Sequence, residues 1–279
     1  LNAVHFDEWP DDLVFIASII LDAVLTEYIE KGKNMPGLEK AVRFAEEHRA
    51  IGIGIMGFHS YLQKNMIPFG SLKSYQANNI IFKTLREKAD AASEWMAENW
   101  GTPPMLRNYK HRNTTRIAVA PTKSSSFIMG GWSPSIEPLK SNYHEKVLAK
   151  IQTTYKNPFL VELLERYGKN DKTTWDDILS KNGSVQHLNF LSDDEKEVFK
   201  TFSEISQVDI VKLAAQRQKY IDQGQSLNLM IHPDTPPKSV SDLILLAYDE
   251  GIKTLYYQYS INAAQQFNES LMTCSSCEA

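Results

Sequence analysis

Apolar residues recur at helical spacing over residues 11–31, with Pro10 at the start, and predict a helix. Leu13, Ile16, Ile20, Val24 and Ile29 fall roughly on one face of it. Pro36 opens a second helical stretch that runs through Ala45. Residues 74–99 predict a long amphipathic helix, stopped by Gly101 and the Pro103-Pro104 pair. Between these helices, Ile and Gly alternate in Ile51-Gly52-Ile53-Gly54-Ile55-Met56-Gly57-Phe58. Alternating Ile and Gly suits backbone lying close to another backbone or to a ligand. Arg116-Ile117-Ala118-Val119-Ala120 reads as a short buried strand running straight into Pro121-Thr122-Lys123-Ser124-Ser125-Ser126. Further along, residues 157–167 predict a helix, 173–191 a polar insertion or surface subdomain, and 193–223 a largely helical stretch. Residues 227–231 predict a second strand, 232–238 a Pro-rich turn, 240–250 a helix ended by Gly251, and 252–257 a third strand. After about Ala263 the residues turn polar and small, as in a flexible tail. Strands alternating with helices predict an α/β architecture with a parallel sheet.

Composition adds bounds to this pattern. The chain has 279 residues, 42% hydrophobic and 23% charged, enough for a sizeable core in one large domain or two small ones. The net charge of −4, with no basic cluster, argues against nucleic acid or a membrane surface as partner. The longest apolar stretch, 13–21, is broken by Asp22 and falls short of the about 20 residues that a membrane-spanning helix needs. No signal peptide is visible, so a cytoplasmic location is expected. A chain opening on Leu1 rather than Met is expected to be a processed or cut segment.

Three segments carry chemistry. In the first, Pro121, Thr122, Lys123, Ser124, Ser125 and Ser126 bring hydroxyls, an ammonium group and backbone N–H groups to the end of a strand, a cradle for an anion. The plainer reading is a helix cap in a polar turn, and local chemistry alone prefers it. The second is Tyr256-Tyr257. Neighbours on a strand point to opposite faces, so core packing is the plain reading and a radical-carrying redox pair the functional one. The third is Cys274-Ser275-Ser276-Cys277, which holds both cysteines of the chain. Thiols at this spacing form and exchange disulfides, and the flanking residues supply no further ligand for a zinc site. A redox pair is preferred over an inert one, because exposed free thiols are otherwise avoided. His48-Arg49 reads as a satisfied structural pair or an anion contact, and Asn228 as a buried amide or a polar group aimed into a site.

Taken in order, several segments resemble the large, catalytic subunit of class I ribonucleotide reductases. They are His48 to Phe58, Ile117-Ala118-Val119-Ala120 with the Pro-Thr-Lys-Ser-Ser-Ser loop, and Ser135-Ile136-Glu137-Pro138. Tyr220-Ile221-Asp222-Gln223, Gln225-Ser226-Leu227-Asn228, Gly251 to Tyr257 and the cysteine tail complete the set. The loop is similar to that of phage-type members, and the middle of the chain also resembles eukaryotic ones.

The resemblance implies a ten-stranded α/β barrel built from two five-stranded halves. Residues 1–262 would form the second half, with a polar, helical insertion around 168–195, and 263–279 a flexible redox tail. It implies that the loop 121–126 binds the diphosphate of a ribonucleoside diphosphate. Tyr256 and Tyr257 would relay a radical from a small subunit carrying a di-metal site and tyrosyl radical. Cys274 and Cys277 would re-reduce an active-site disulfide and then be reduced by thioredoxin or glutaredoxin. The family's radical-bearing cysteine, its reducing cysteines and its ATP and dNTP effector sites lie on segments that precede this one, so this segment is expected to bind no cofactor itself. Turnover would require an N-terminal part, as in a split large subunit. The alternatives are a non-catalytic fragment that docks the small subunit or other large-subunit pieces, and a truncated record of an intact enzyme.

Overall fold

The computed structural model describes residues 1–148 and 151–260, and within it five extended segments lie parallel and in chain order. Asn2 bridges Met56, Ile53 bridges Ile117, Val119 bridges Gln225, and Leu229–Met230 pairs with Gln258–Tyr259. Backbone hydrogen bonds carry each segment to the next. Ala3 N–H donates to Met56 O at 2.8 Å, Ile53 N–H to Arg116 O at 2.7 Å, Ser226 N–H to Val119 O at 2.9 Å, and Leu229 N–H to Tyr257 O at 3.0 Å. Five parallel segments match the five-stranded half-barrel that the resemblance implies.

The two faces of this sheet differ. Ile53, Ile117, Val119 and Leu227 are buried beneath helices. Gly52, Gly54, Ala118 and Gly224 take the alternate positions. A Cβ on Gly54 would stand 2.5 Å from Ala118 O, and one on Gly52 would stand 2.9 Å from Ala118 Cβ. The Ile-Gly alternation therefore brings two backbones together, as expected, and leaves the second face lined with small residues. The last strand begins later than the pattern predicts, at Gln258 rather than 252. Thr254 explains the delay: its hydroxyl accepts from Gln225 N–H at 2.9 Å and donates to Gln225 O at 2.7 Å, replacing main-chain pairing there.

The helices are α1 (Leu13–Gly32), α2 (Glu39–His48), α3 (Phe58–Lys64), α4 (Leu72–Trp100), α5 (Lys123–Ile128), α6 (Pro158–Arg166), α7 (Lys172–Ser180), α8 (Asp193–Val198), α9 (Gln207–Gln218) and α10 (Pro237–Asp249). α4 packs against α1 and α9, and α10 packs against α9. Phe58, Phe82, Leu85 and Leu213 belong to the core between these helices and the sheet. None of the described helices is long and apolar enough to cross a membrane. The stretch 193–223, expected as largely helical, splits into α8 and α9 around the buried Phe199 and Phe202.

The apolar side of α1 is mostly not its buried side. Ile29 is buried, but Ile16, Ile20 and Val24 are about half exposed, and Val14, Ser18 and Asp22 are buried instead. The helix is apolar on nearly every side, so its hydrophobic pattern does not fix its rotation. A buried ionic network fixes it. Arg49 grips Asp22 with Nε to Oδ1 and Nη2 to Oδ2, both at 2.8 Å, and Arg112 Nε reaches Oδ2 at 2.9 Å. Asn113 Nδ2 adds a bond to Oδ1 at 3.1 Å. His48-Arg49 is thus a structural pair, with His48 stacked on Phe44. Burial opposes the Asp22 charge, but the hydrogen bonds and charges of Arg49 and Arg112 outweigh it and hold its pKa below the ordinary value. A depressed folded pKa stabilises above the unfolded value, about pH 4, and that contribution is lost as pH falls through the folded value. Asp22→Asn should therefore cost about 3–5 kcal/mol at neutral pH, since it strands buried guanidinium groups. The deficit against wild type should shrink below about pH 4. Urea denaturation at pH 7 and pH 3 measures both, and an equal deficit at the two values would contradict the assignment.

One feature went unpredicted: Tyr143–Leu148 and Ile151–Lys156 form an antiparallel hairpin. The stretch 173–191, expected as a polar insertion or surface subdomain, buries Trp175, Ile178, Val185, Leu188 and Leu191 with Leu160, Leu164 and Phe199 in a small core of its own, which fits the second of these.

Candidate active site

The loop after the third segment is built by its own hydroxyls. Thr122 takes a left-handed backbone (φ 46°) and makes no side-chain cap to α5. Its Oγ1 instead accepts from Ser135 N–H at 2.7 Å and lies 3.2 Å from the buried Ser126 Oγ. The capping reading therefore lacks its hydrogen bond. Thr122 and Ser126 fasten the loop to residues 133–135, while Lys123, Ser124 and Ser125 remain exposed. Pro121 joins residues 118–120, 223–226 and 254–256 in lining an open cavity of roughly 410 Å³. That cavity lies along the small-residue side of the sheet and reaches Tyr256.

The tyrosine pair is not core packing. Tyr256 and Tyr257 are 48% and 54% exposed, their ring centroids 4.0 Å apart and their hydroxyls 3.3 Å apart. Neighbouring residues can meet in this way because the regular strand starts only at Gln258. The hydrogen bond with Tyr257, then the charge of its hydroxyl, raises the Tyr256 pKa.

Asn228 ties these parts together. It is fully buried, its Oδ1 accepts from Tyr257 N–H at 2.9 Å, and its Nδ2 donates to the Glu137 carboxylate. Burial raises the Glu137 pKa, against the pull of Asn228, Lys123 and Lys140. Lys123 reaches across to donate to the Tyr259 hydroxyl, and the Tyr259 ring lies 6.2 Å from that of Tyr257. The expected loop and the expected tyrosine pair thus share one region. Cys274 and Cys277 lie outside the described residues.

Sequence reasoning gave Glu137, Lys140 and Tyr259 no role. Glu137 had a signal, a carboxylate between Ile136 and Pro138 in an apolar stretch. Tyr259 had one too, two positions after Tyr257 and so on the same side of a strand.

The barrel-domain family of ribonucleotide reductases matches this chain over residues 16–111 and 104–258. The chain belongs to that family. It is 41% identical over 263 residues to the ribonucleoside-diphosphate reductase large subunit of Invertebrate iridescent virus 6, covering 92% of this chain and 27% of that protein. Against the putative large subunit of Frog virus 3, the identity is 36% over 100% of this chain and 51% of the relative. Among solved structures, the alpha subunit of the class Id ribonucleotide reductase of Actinobacillus ureae superposes with a TM-score of 0.89 at 52% identity. That match covers 95% of this chain and 49% of the other. The chain therefore spans from about a quarter to about half the length of these ribonucleotide reductase relatives, and the half-barrel fold expected from its motifs is the fold it has.

Proposed function

We propose that this chain supplies one half of a catalytic site that reduces ribonucleoside diphosphates to deoxyribonucleoside diphosphates. The observation that carries this reading is convergence: the 121–126 loop, the open cavity beside it and the tyrosine pair meet at one end of the parallel sheet. In this reading Lys123, Ser124, Ser125 and the loop backbone hold the substrate diphosphate, the end of the molecule that does not react. Fixing that end positions the ribose for reaction. Small residues along the second face of the sheet leave room for the sugar. Tyr256 and Tyr257, with touching hydroxyls, pass a hydrogen atom's worth of oxidation inward from a small subunit that carries the di-metal site and its tyrosyl radical.

Reduction itself balances as follows. The ribose 2′-hydroxyl leaves as water, and two thiols give up two electrons and two protons and become a disulfide. Cys274 and Cys277 are the only cysteines here, so the radical-bearing thiol and the first reducing thiols belong to an N-terminal part, which would also bind the ATP and dNTP effectors. The tail pair re-reduces the disulfide and is renewed by thioredoxin or glutaredoxin in the cytoplasm.

Assembly tests the proposal. Mixed with the N-terminal part and the small subunit, the folded chain should restore nucleoside diphosphate reduction, read as deoxynucleotide formed. A mixture that assembles and stays inactive would hand the case to the other reading, a non-catalytic fragment that docks the small subunit.

A further inference from the structure

We propose that Lys140 is a second cation of the diphosphate site, set beside Lys123 by the ring of Tyr259. The proposal rests on the reading of the 121–126 loop given above and extends it to residues outside that loop.

Three distant pieces of chain meet here. Lys123 opens α5, Lys140 follows the Ser135 to Pro138 turn, and Tyr259 lies on the last strand. The Lys140 ammonium stands 3.5 Å from the centre of the Tyr259 ring, and that of Lys123 stands 4.6 Å from the same centre while donating to the Tyr259 hydroxyl. An aromatic face attracts a cation and a phenol oxygen accepts from one, so a single tyrosine can hold two ammonium groups near each other. The groups nevertheless repel each other. The Lys140 pKa is lowered, first by burial of its ammonium and then by the charge of Lys123, with Glu137 opposing. Among the described residues, neither ammonium forms a salt bridge to a carboxylate. Glu137 lies near, but its carboxylate is buried and bound by Asn228. The cluster therefore gathers two positive charges around one buried negative group.

A ligand with two adjacent anionic centres relieves that repulsion, and a diphosphate has two phosphoryl groups. A lysine ammonium serves such a group as a point charge on a pliable stem. Tyr259 is then a positioning residue, and Lys140 touches the substrate.

The test uses the assembled reductase, with CDP as substrate and inorganic pyrophosphate as competitor. Lys140→Ala should raise the KM for CDP and the inhibition constant for pyrophosphate by roughly tenfold, the loss of one charge-assisted contact. Lys140→Arg should restore most of both, which a purely structural defect would not allow. Tyr259→Leu should raise the same two constants, and adding it to Lys140→Ala should cost little more than Lys140→Ala alone. Lys123→Ala separates the two readings. If Lys123→Ala raises KM while Lys140→Ala leaves both constants unchanged, only the present inference falls. If Lys123→Ala leaves KM unchanged, the loop reading falls and takes this one with it.

Discussion

Tyr257→Phe should abolish turnover of the assembled enzyme, by about a thousandfold or more, while leaving CDP binding and folding close to wild type. The geometry separates chemistry from structure at this position. The Tyr257 ring is more than half exposed, and its hydroxyl meets only that of Tyr256 among the described residues. Its place in the fold comes from the main chain: Asn228 Oδ1 accepts its N–H, and its carbonyl accepts from Leu229 N–H. Phenylalanine keeps all of this and the ring contact with Tyr256. A surface change of this kind costs within about 0.5 kcal/mol of stability. What disappears is the O–H bond, and a phenyl ring has no proton to give up along with an electron. Deoxynucleotide formation, CDP affinity and thermal unfolding of the variant are the three measurements. A variant that keeps more than about a tenth of wild-type turnover would remove Tyr257 from the radical path.

Much of the scaffold behind that prediction is readable in the sequence, for local reasons. α4 runs Leu72–Trp100 where 74–99 was expected, because Ser71 caps it and Gly101, at φ 82°, ends it. The strand at 116–120 is where its apolar run places it, although only Ile117 and Val119 form bridges there. That five such segments make half a barrel came from the resemblance, not from periodicity. Where reading failed, the deciding contact was remote or the local signal was missing. The rotation of α1 depends on Arg49 and Arg112, 27 and 90 residues away from Asp22. The hairpin 143–156 has no Gly, Asn or Asp between its arms to announce a turn, although Ile151, Thr153, Thr154 and Tyr155 suit a strand. The site itself behaves in the same way. Its loop and its tyrosines are contiguous motifs and could be named, whereas Lys123 meets Tyr259 across 136 residues. No window of sequence contains that meeting, so the contact of Tyr259 with the two lysines emerges only from the folded chain.

Cys274→Ser should remove thioredoxin-driven turnover and spare turnover driven by dithiothreitol. Each cycle would leave a disulfide inside a barrel too narrow for a protein reductant. A tethered thiol pair can attack it at an effective concentration in about the millimolar range, while a small dithiol can enter unaided. The variant should also leave a chemical trace. With Cys274 replaced, Cys277 can still attack the disulfide, but no neighbouring thiol then resolves the mixed disulfide that forms. Non-reducing mass spectrometry of the stalled enzyme should find Cys277 joined to a cysteine of the N-terminal part, and Cys277→Ser should trap Cys274 in the same way. A single turnover from pre-reduced enzyme should remain, because the first pair of electrons is already in the site. Equal loss with both reductants would mean that these cysteines support structure instead. Undiminished turnover with thioredoxin would mean that the tail takes no part, and that the electrons reach the site by a path this chain does not contain.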